Sequence, residues 1–354
     1  MTVGLQPTRA YIASIMLNKN NFKKIATHCA TGILLSFSAS QMANASDDFI
    51  LAHAYPADHI FNLASTTFID QLKESKSELG VKYHLGGDLG DWASIFEQTM
   101  EGVVPMTMSF GASEFEPKLD LSWLGYVVDN WDDARKVYGP NGKMITVYDE
   151  ILDRLDLKLL GTIPTGFGSV AIRKGVNKQP TNFPVDAKGI KMRVPPVPIA
   201  IERFKNWGFT AVPMPYSELY TALQLGTVDG RSFGPSVEIW QMRDVLESYV
   251  LTKDYFEHAF WVVNKSWFED QSEVAQKQIM TAADATMKVV WDQAQAIDEK
   301  FLADVKGAGI QVVELNDEHL ASAKATIYEK EWPFMEKIVG KEIMDQMRSI
   351  ANIK

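Results

Sequence analysis

The sequence predicts an α/β protein of two lobes, and three observations lead there. Short apolar, strand-like runs alternate with apolar residues at helical spacing through both halves of the chain, the pattern of sheets covered by helices. Residues 46–354 are enough for one large core but divide more naturally between two. Ser272 to Lys306 runs without a Gly or Pro, which at about 1.5 Å per residue predicts a helix about 50 Å long, enough to cross both lobes.

The chain opens on a leader. Lys19, Lys23 and Lys24 precede an apolar stretch from Gly32 to Phe37, small residues follow, and Ala43-Asn44-Ala45 closes the segment. That order marks residues 1–45 as a secretory signal peptide cleaved after Ala45, with the true start at Met1 or at Met16, which would itself open a conventional signal. The apolar run is too short for a permanent span, and no later stretch reaches the roughly 20 residues one needs, so no stable membrane insertion is expected after cleavage. Cys29, the only cysteine, lies in the leader, which leaves the mature chain without thiol, disulfide or thiolate metal site. Removing the leader's four positive charges takes the formal charge from -10 to -14. An acidic surface argues against nucleic acid and anionic lipid as partners. It does not oppose a small anionic ligand, because buried arginines set the local potential.

Phe49 to Ala52 reads as a strand, followed by a helix carrying Phe61, Ala64, Phe68, Ile69 and Leu72. Val81 to Leu85 is a second strand ending in Gly86-Gly87-Asp88-Leu89-Gly90, and Ile95, Phe96, Thr99 and Met100 form the next helix face. Val103 to Phe110 is a third strand. A second block opens around Val170-Ala171-Ile172, with a strand from Ile190 to Val194, a helix from about Ile199 to Trp207 and a strand near Thr210 to Val212. Ser217 is placed as the N-cap of a helix with Leu219, Ala222 and Leu223 on its apolar face. Such alternation favours parallel sheets, whose ligands sit at the carboxyl ends of the strands. No low-complexity linker interrupts the chain, so crossing strands are expected to join the lobes.

Two stretches carry a family resemblance. They are Gly189-Ile190-Lys191-Met192-Arg193-Val194-Pro195 and the run from Val212-Pro213-Met214-Pro215-Tyr216-Ser217-Glu218-Leu219 through Gly226-Thr227-Val228-Asp229-Gly230. With Asp88-Leu89-Gly90, Gly102 and Asn264-Lys265-Ser266-Trp267-Phe268, they make the chain resemble the DctP-like substrate-binding subunits of tripartite ATP-independent periplasmic (TRAP) transporters over nearly all of its mature length. The resemblance implies a two-lobed periplasmic binding protein fold with a ligand cleft between lobes and a long helix crossing both. The lobes are expected at 46–170 plus about 259–290 and at 171–258 plus about 291–354. It also implies residence in the periplasm and capture of a small organic acid anion, carboxylate or sulfonate, for TRAP membrane subunits, with no cofactor.

The resemblance assigns the ligand carboxylate to Arg193, a role that suits Arg: its planar fork makes two parallel charge-assisted hydrogen bonds and keeps its proton on burial. Arg173 falls where the family often has a second cleft arginine. Where the family often carries Asn, this chain has Phe233, within Asp229-Gly230-Arg231-Ser232-Phe233-Gly234-Pro235. Phe110 and Trp92 likewise stand at places that are polar in some relatives, and Tyr216 matches a cleft aromatic, so an aromatic-walled pocket and a ligand less hydroxylated than a sugar acid are expected. His53 and Tyr55, just after the first strand, are candidate ligand contacts, and His59 is not. Arg231 is a further cation whose neighbours suggest an exposed turn. Each ring has core filling as its ordinary alternative, and each Arg a surface ion pair.

An enzyme on a similar scaffold is the main rival. The chain has no Gly-x-Ser-x-Gly elbow, no His-Glu-x-x-His, no Walker loop and no dinucleotide glycine fingerprint, so neither catalytic nor metal-ligating residues are assigned. A receptor presenting its ligand to a membrane sensor is the second rival.

Overall fold

The computed structural model describes residues 48–353, so the leader and its cleavage site lie outside the described residues. Nine strands form one mixed sheet: β1 (Phe49–Ala52), β2 (Val81–His84), β3 (Met106–Ser109), β4 (Leu157–Arg173), β5 (Lys191–Val194), β6 (Thr210–Pro213), β7 (Gly230–Arg231), β8 (Leu246–Asn264) and β9 (Gln311–Glu314). Their order is β2-β1-β3-β8-β4-β7-β5-β6, with β9 on β8. The short strands pair in parallel, β1 with β2 and β3, and β5 with β6 and β7. The alternation favoured parallel sheets; the antiparallel pairings of β8 with β3 and β4, and of β4 with β7, make the sheet mixed.

The two long strands organise everything else. The second half of β8 pairs with β3 and with the first half of β4, while its first half pairs with β9 and with the second half of β4. One ribbon thus runs through both groups of short parallel strands. Its register shifts between Leu159 and Gly161, Pro164 and Gly166, Gly168 and Val170, and Ile172 and Arg173, and each bulge adds local bend and twist. Val170-Ala171-Ile172 therefore opens no block; it continues a 17-residue strand.

Glu273–Gly307 is a single 35-residue helix, in line with the long Gly- and Pro-free run. Its apolar stripe, Met287, Val290, Trp291 and Ala294, is buried, and Trp291 Nε1 donates to Thr162 O of β4 at 2.9 Å. The approach is close enough that a Cβ at Gly161 would meet Met287 Sδ at 2.7 Å.

Two local expectations are corrected. β3 begins only at Met106, because the N–H groups of Val103 and Val104 turn back to Gln98 O and close the preceding helix, Trp92–Met100. Ser217 is not a cap either: the helix Tyr216–Leu225 starts after Pro215 with no side-chain cap. It ends on Gly226 at φ 74°, the left-handed position where glycine costs least.

Candidate ligand-binding site

The carboxyl ends of the short parallel strands and the bulged middle of the long ribbon face one cavity. β1 is followed by Tyr55 and β3 by Phe110; β5 carries Arg193, β7 carries Arg231 and leads into Phe233, and β8 carries Glu257. Trp92, Trp123, Tyr216 and Glu238 complete the wall. The rings interlock. Phe110 lies 5.5 Å from Trp123 and 5.8 Å from Tyr55, Tyr55 lies 5.1 Å from Tyr216, and Trp123 lies 5.7 Å from Phe233. The space between them, open on one side, measures about 20 Å³ for the centre of a water molecule. A roomier groove of about 370 Å³ between Lys253, Glu314 and Lys324 has an exposed lysine and glutamate in its walls. The smaller cavity is the candidate because buried charges converge there.

Arg193 is 3% exposed. Its Nε donates to Met214 O at 3.0 Å, whereas Nη2 is buried with no partner among the described residues. Burial, helped by Arg231 nearby, lowers its pKa to about 10, which leaves it charged at neutral pH. The guanidinium thus presents a free edge. Arg231 is different: it is an ion-paired partner of Glu238, and its Nη2 also donates to Phe233 O at 2.7 Å. Burial opposes the Arg231 charge, and the Glu238 carboxylate overrides it and holds the pKa above the usual arginine range. The exposed-turn reading of Arg231 is therefore wrong; it is 1% exposed because Glu238 pairs with it inside the protein.

Glu257 is buried on the floor of the cavity. Thr165 Oγ1 donates to its Oε1 at 2.7 Å and the Tyr255 hydroxyl donates to Oε2. Burial, and then repulsion from Glu238, pushes its pKa up to about 8. Tyr55 and Tyr216 are raised above the ordinary tyrosine value first by burial and next by Glu238, so both hydroxyls stay protonated.

Of the residues singled out from sequence, Arg193, Phe233, Tyr216, Phe110, Trp92 and Tyr55 meet in this wall. Two do not. Arg173 turns its Nε to Val228 O at 3.1 Å and its Nη1 to Lys174 O at 2.8 Å, and packs over Gly226, clamping the end of the helix Tyr216–Leu225 to β4. His53 lies behind Tyr55: its Nδ1 accepts from Tyr55 N at 3.2 Å and its Nε2 meets Tyr83 Oη at 2.7 Å, while that hydroxyl donates to Asn62 Oδ1. These partners place the proton on Nε2, and burial lowers the His53 pKa to about 4, so it is a neutral support for Tyr55. Trp123, Glu238 and Glu257 were missed, and Arg231 was weighed but set aside as an exposed turn. A signal existed for Glu257, a lone acid within Tyr255-Phe256-Glu257-His258-Ala259-Phe260, where burial of a charge implies a task.

Among the described residues, no group of three or more His, Cys, Asp or Glu is arranged to hold a metal ion. No helix among them is long and apolar enough to cross a membrane.

The fold has counterparts in known proteins. The ectoine-binding periplasmic protein TeaA of Halomonas elongata is 25% identical over 338 residues, 93% of this chain and 96% of that protein. The structure of the periplasmic ectoine-binding protein of the TeaABC TRAP transporter from the same organism superposes with a TM-score of 0.80 at 22% identity, covering 86% of this chain and 99% of the other. A TRAP periplasmic solute-binding protein of Desulfovibrio salexigens with bound orotic acid gives 0.78 at 23% identity, covering 86% and 98%. The two-lobed fold of these TRAP proteins is therefore the fold of this chain. The family model for bacterial extracellular solute-binding proteins, family 7, matches residues 51–337, and the chain belongs to that family, the DctP solute-binding proteins.

Proposed function

We propose that this solute-binding protein captures a small organic acid anion in the periplasm, holds it unaltered in the ring-walled cavity, and delivers it to TRAP membrane subunits. The observation that carries this reading is the free edge of Arg193. A buried donor without a partner is destabilising, and here it faces a cavity, where a carboxylate can satisfy two N–H groups in parallel. Arg193 is the anchor; Tyr55 and Tyr216 contribute hydroxyls, and Trp92, Phe110 and Phe233 contribute apolar faces that disfavour a polyhydroxylated ligand. A monoacid with few hydroxyls is the fitting class. Arg173 and His53 act through the elements they hold and touch no ligand.

The lobes, which we place at 46–170 plus about 259–290 and at 171–258 plus about 291–354, share the bulged ribbon of β4 and β8. Closure expels water and strengthens the arginine contact by lowering the local dielectric, and the equilibrium shifts only as far as the ligand prefers the closed form. Thermal-shift screening of the mature chain against organic acids tests the reading: an acid at 100 times its Kd stabilises by about 2.7 kcal/mol. Absence of any stabilising acid, or mass-spectrometric recovery of a converted product over many turnovers, overturns it.

A further inference from the structure

We propose that the ligand is a compact zwitterion: its carboxylate docks on Arg193, its organic cation docks against Glu257 among the rings, and Glu257 is the residue that selects for the second charge. This rests on the reading of Arg193 as a carboxylate anchor and adds a second end to the ligand.

Three buried charged groups besides Arg193 face the cavity, and two of them cancel. Arg231 and Glu238 form an ion pair and Arg231 also caps Phe233 O, so neither offers a whole charge to a ligand. What remains is Arg193, a cation with a free edge, and Glu257, an acid with no cationic partner among the described residues. They line one cavity and are not paired with each other. A pure monoanion satisfies the first and leaves the second. An isolated carboxylate in the interior is costly, so with a monoanion Glu257 stays a neutral acid; a ligand bearing both charges satisfies both groups.

The surroundings of Glu257 fit a cation. Thr165 and Tyr255 donate one hydrogen bond to each of its oxygens, and a carboxylate has about four acceptor positions, so each oxygen keeps one for a ligand N–H. The remaining wall is aromatic. Trp123 has its indole N–H committed to Gly111 O at 3.2 Å and offers only its ring, and Phe110 and Phe233 have no donors at all. Desolvated organic cations are attracted to such ring faces, and Trp123, Phe110 and Phe233 offer no donor to a second anionic group. The titratable and charged groups facing Glu257 are Tyr255, Glu238, Arg231, Arg193, Tyr55 and Tyr216. A cation arriving at Glu257 makes its carboxyl ionise, and the proton leaves to the buffer.

The test uses matched pairs in which the cation is replaced by carbon: glycine betaine against 3,3-dimethylbutanoate, and pipecolate against cyclohexanecarboxylate. Calorimetric titration of the mature protein at neutral pH, repeated in two buffers of different ionisation enthalpy, gives both affinity and protons released. Expected are a preference of at least about tenfold for the zwitterion of a pair, release of about one proton on its binding, and loss of both in a folded Glu257→Gln variant. The wild-type proton count stands even where that variant does not fold. Equal or tighter binding of the carbon isostere, or anions binding where no zwitterion does, overturns the inference and leaves the organic-acid reading intact. Binding of neither member of either pair, with no acid found by the wider screen, overturns both.

Discussion

Two clusters of buried charge lie on either side of the same aromatic rings, and they are built to opposite rules. On one side Arg203, fully buried, donates through Nε and Nη2 to Glu331, through Nη1 to Asp254 at 2.7 Å, and through Nη2 to Trp123 O as well; Gly125 N caps Glu331 at 2.8 Å. Its guanidinium sits 4.8 Å from the centre of the Phe233 ring. On the other side, among the described residues, Arg193 has one hydrogen bond and a free edge, and Glu257 has hydroxyl donors but no cation. A buried ion with every partner in the protein is architecture, whereas one with hydrogen-bonding capacity left over can serve a ligand. Phe233, at φ 50°, touches both: its ring lies against Arg203 and lines the cavity with Arg193.

The comparison breaks or sharpens with mutation. The largest effect is expected from Arg203→Met, which strands Glu331 and Asp254 as uncompensated buried acids; urea denaturation should show a loss of about 3 to 5 kcal/mol. A loss under about 1 kcal/mol would make the complete cluster dispensable and remove the contrast. Next is Arg193→Lys, which keeps the charge but not the fork, and should weaken ligand binding by about 2 to 4 kcal/mol, roughly 30- to 1000-fold. Its unfolding curve should barely move, since Arg193 makes only one intramolecular hydrogen bond; a folded variant that binds within about threefold of wild type would place the anchor elsewhere.

A smaller effect separates the acids by pH. Glu257 has its pKa raised from 4.5 to about 8 by burial and Glu238, so in that window the folded chain holds a proton that the unfolded chain has released. Stability from this group is full below about pH 4.5 and is lost as pH rises through about 8. Glu257→Gln should flatten this decline, so its urea midpoint gains on wild type between about pH 5 and about pH 8; Asp120 and Asp298, raised to about 6 by burial, are common to both proteins and cancel. A pH-independent difference would mean that Glu257 is ionised throughout. The smallest effect belongs to Arg173→Lys. Its guanidinium holds backbone carbonyls away from the cavity, so calorimetric titration should show affinity within about threefold of wild type, and a loss comparable to that of Arg193→Lys would bring Arg173 back to the ligand.

How far the sequence could be read followed the kind of interaction involved. The helix Ile60–Glu74 and the long helix Glu273–Gly307 have one buried face each, so their periodicity is written in the chain, and the strand at Phe49–Ala52 is a short continuous apolar run. β4 and β8 are buried along nearly their whole length and are broken by Gly161, Pro164, Gly166 and Gly168 or studded with Asp254, Glu257 and His258. They show no alternation, and only pairing with each other reveals them as strands. Arg193, Tyr216 and Phe233 lie in ordered motifs and meet at the cavity, whereas Arg173 turns to backbone carbonyls instead, because its motif does not say which way a side chain leaves the strand.

By itself, then, the sequence determined the α/β class, the long helix and the family, and it singled out Arg193, because these depend on local periodicity and on contiguous motifs. Only the tertiary structure decided which charges are spent on the protein and which are left over. Arg231 meets Glu238 across seven residues, Arg203 meets Glu331 across 128, and Glu257 meets no cation among the described residues. Such pairing is a property of distance in space, and a buried charge becomes either structural or functional according to whether the fold brings its partner within about 4 Å.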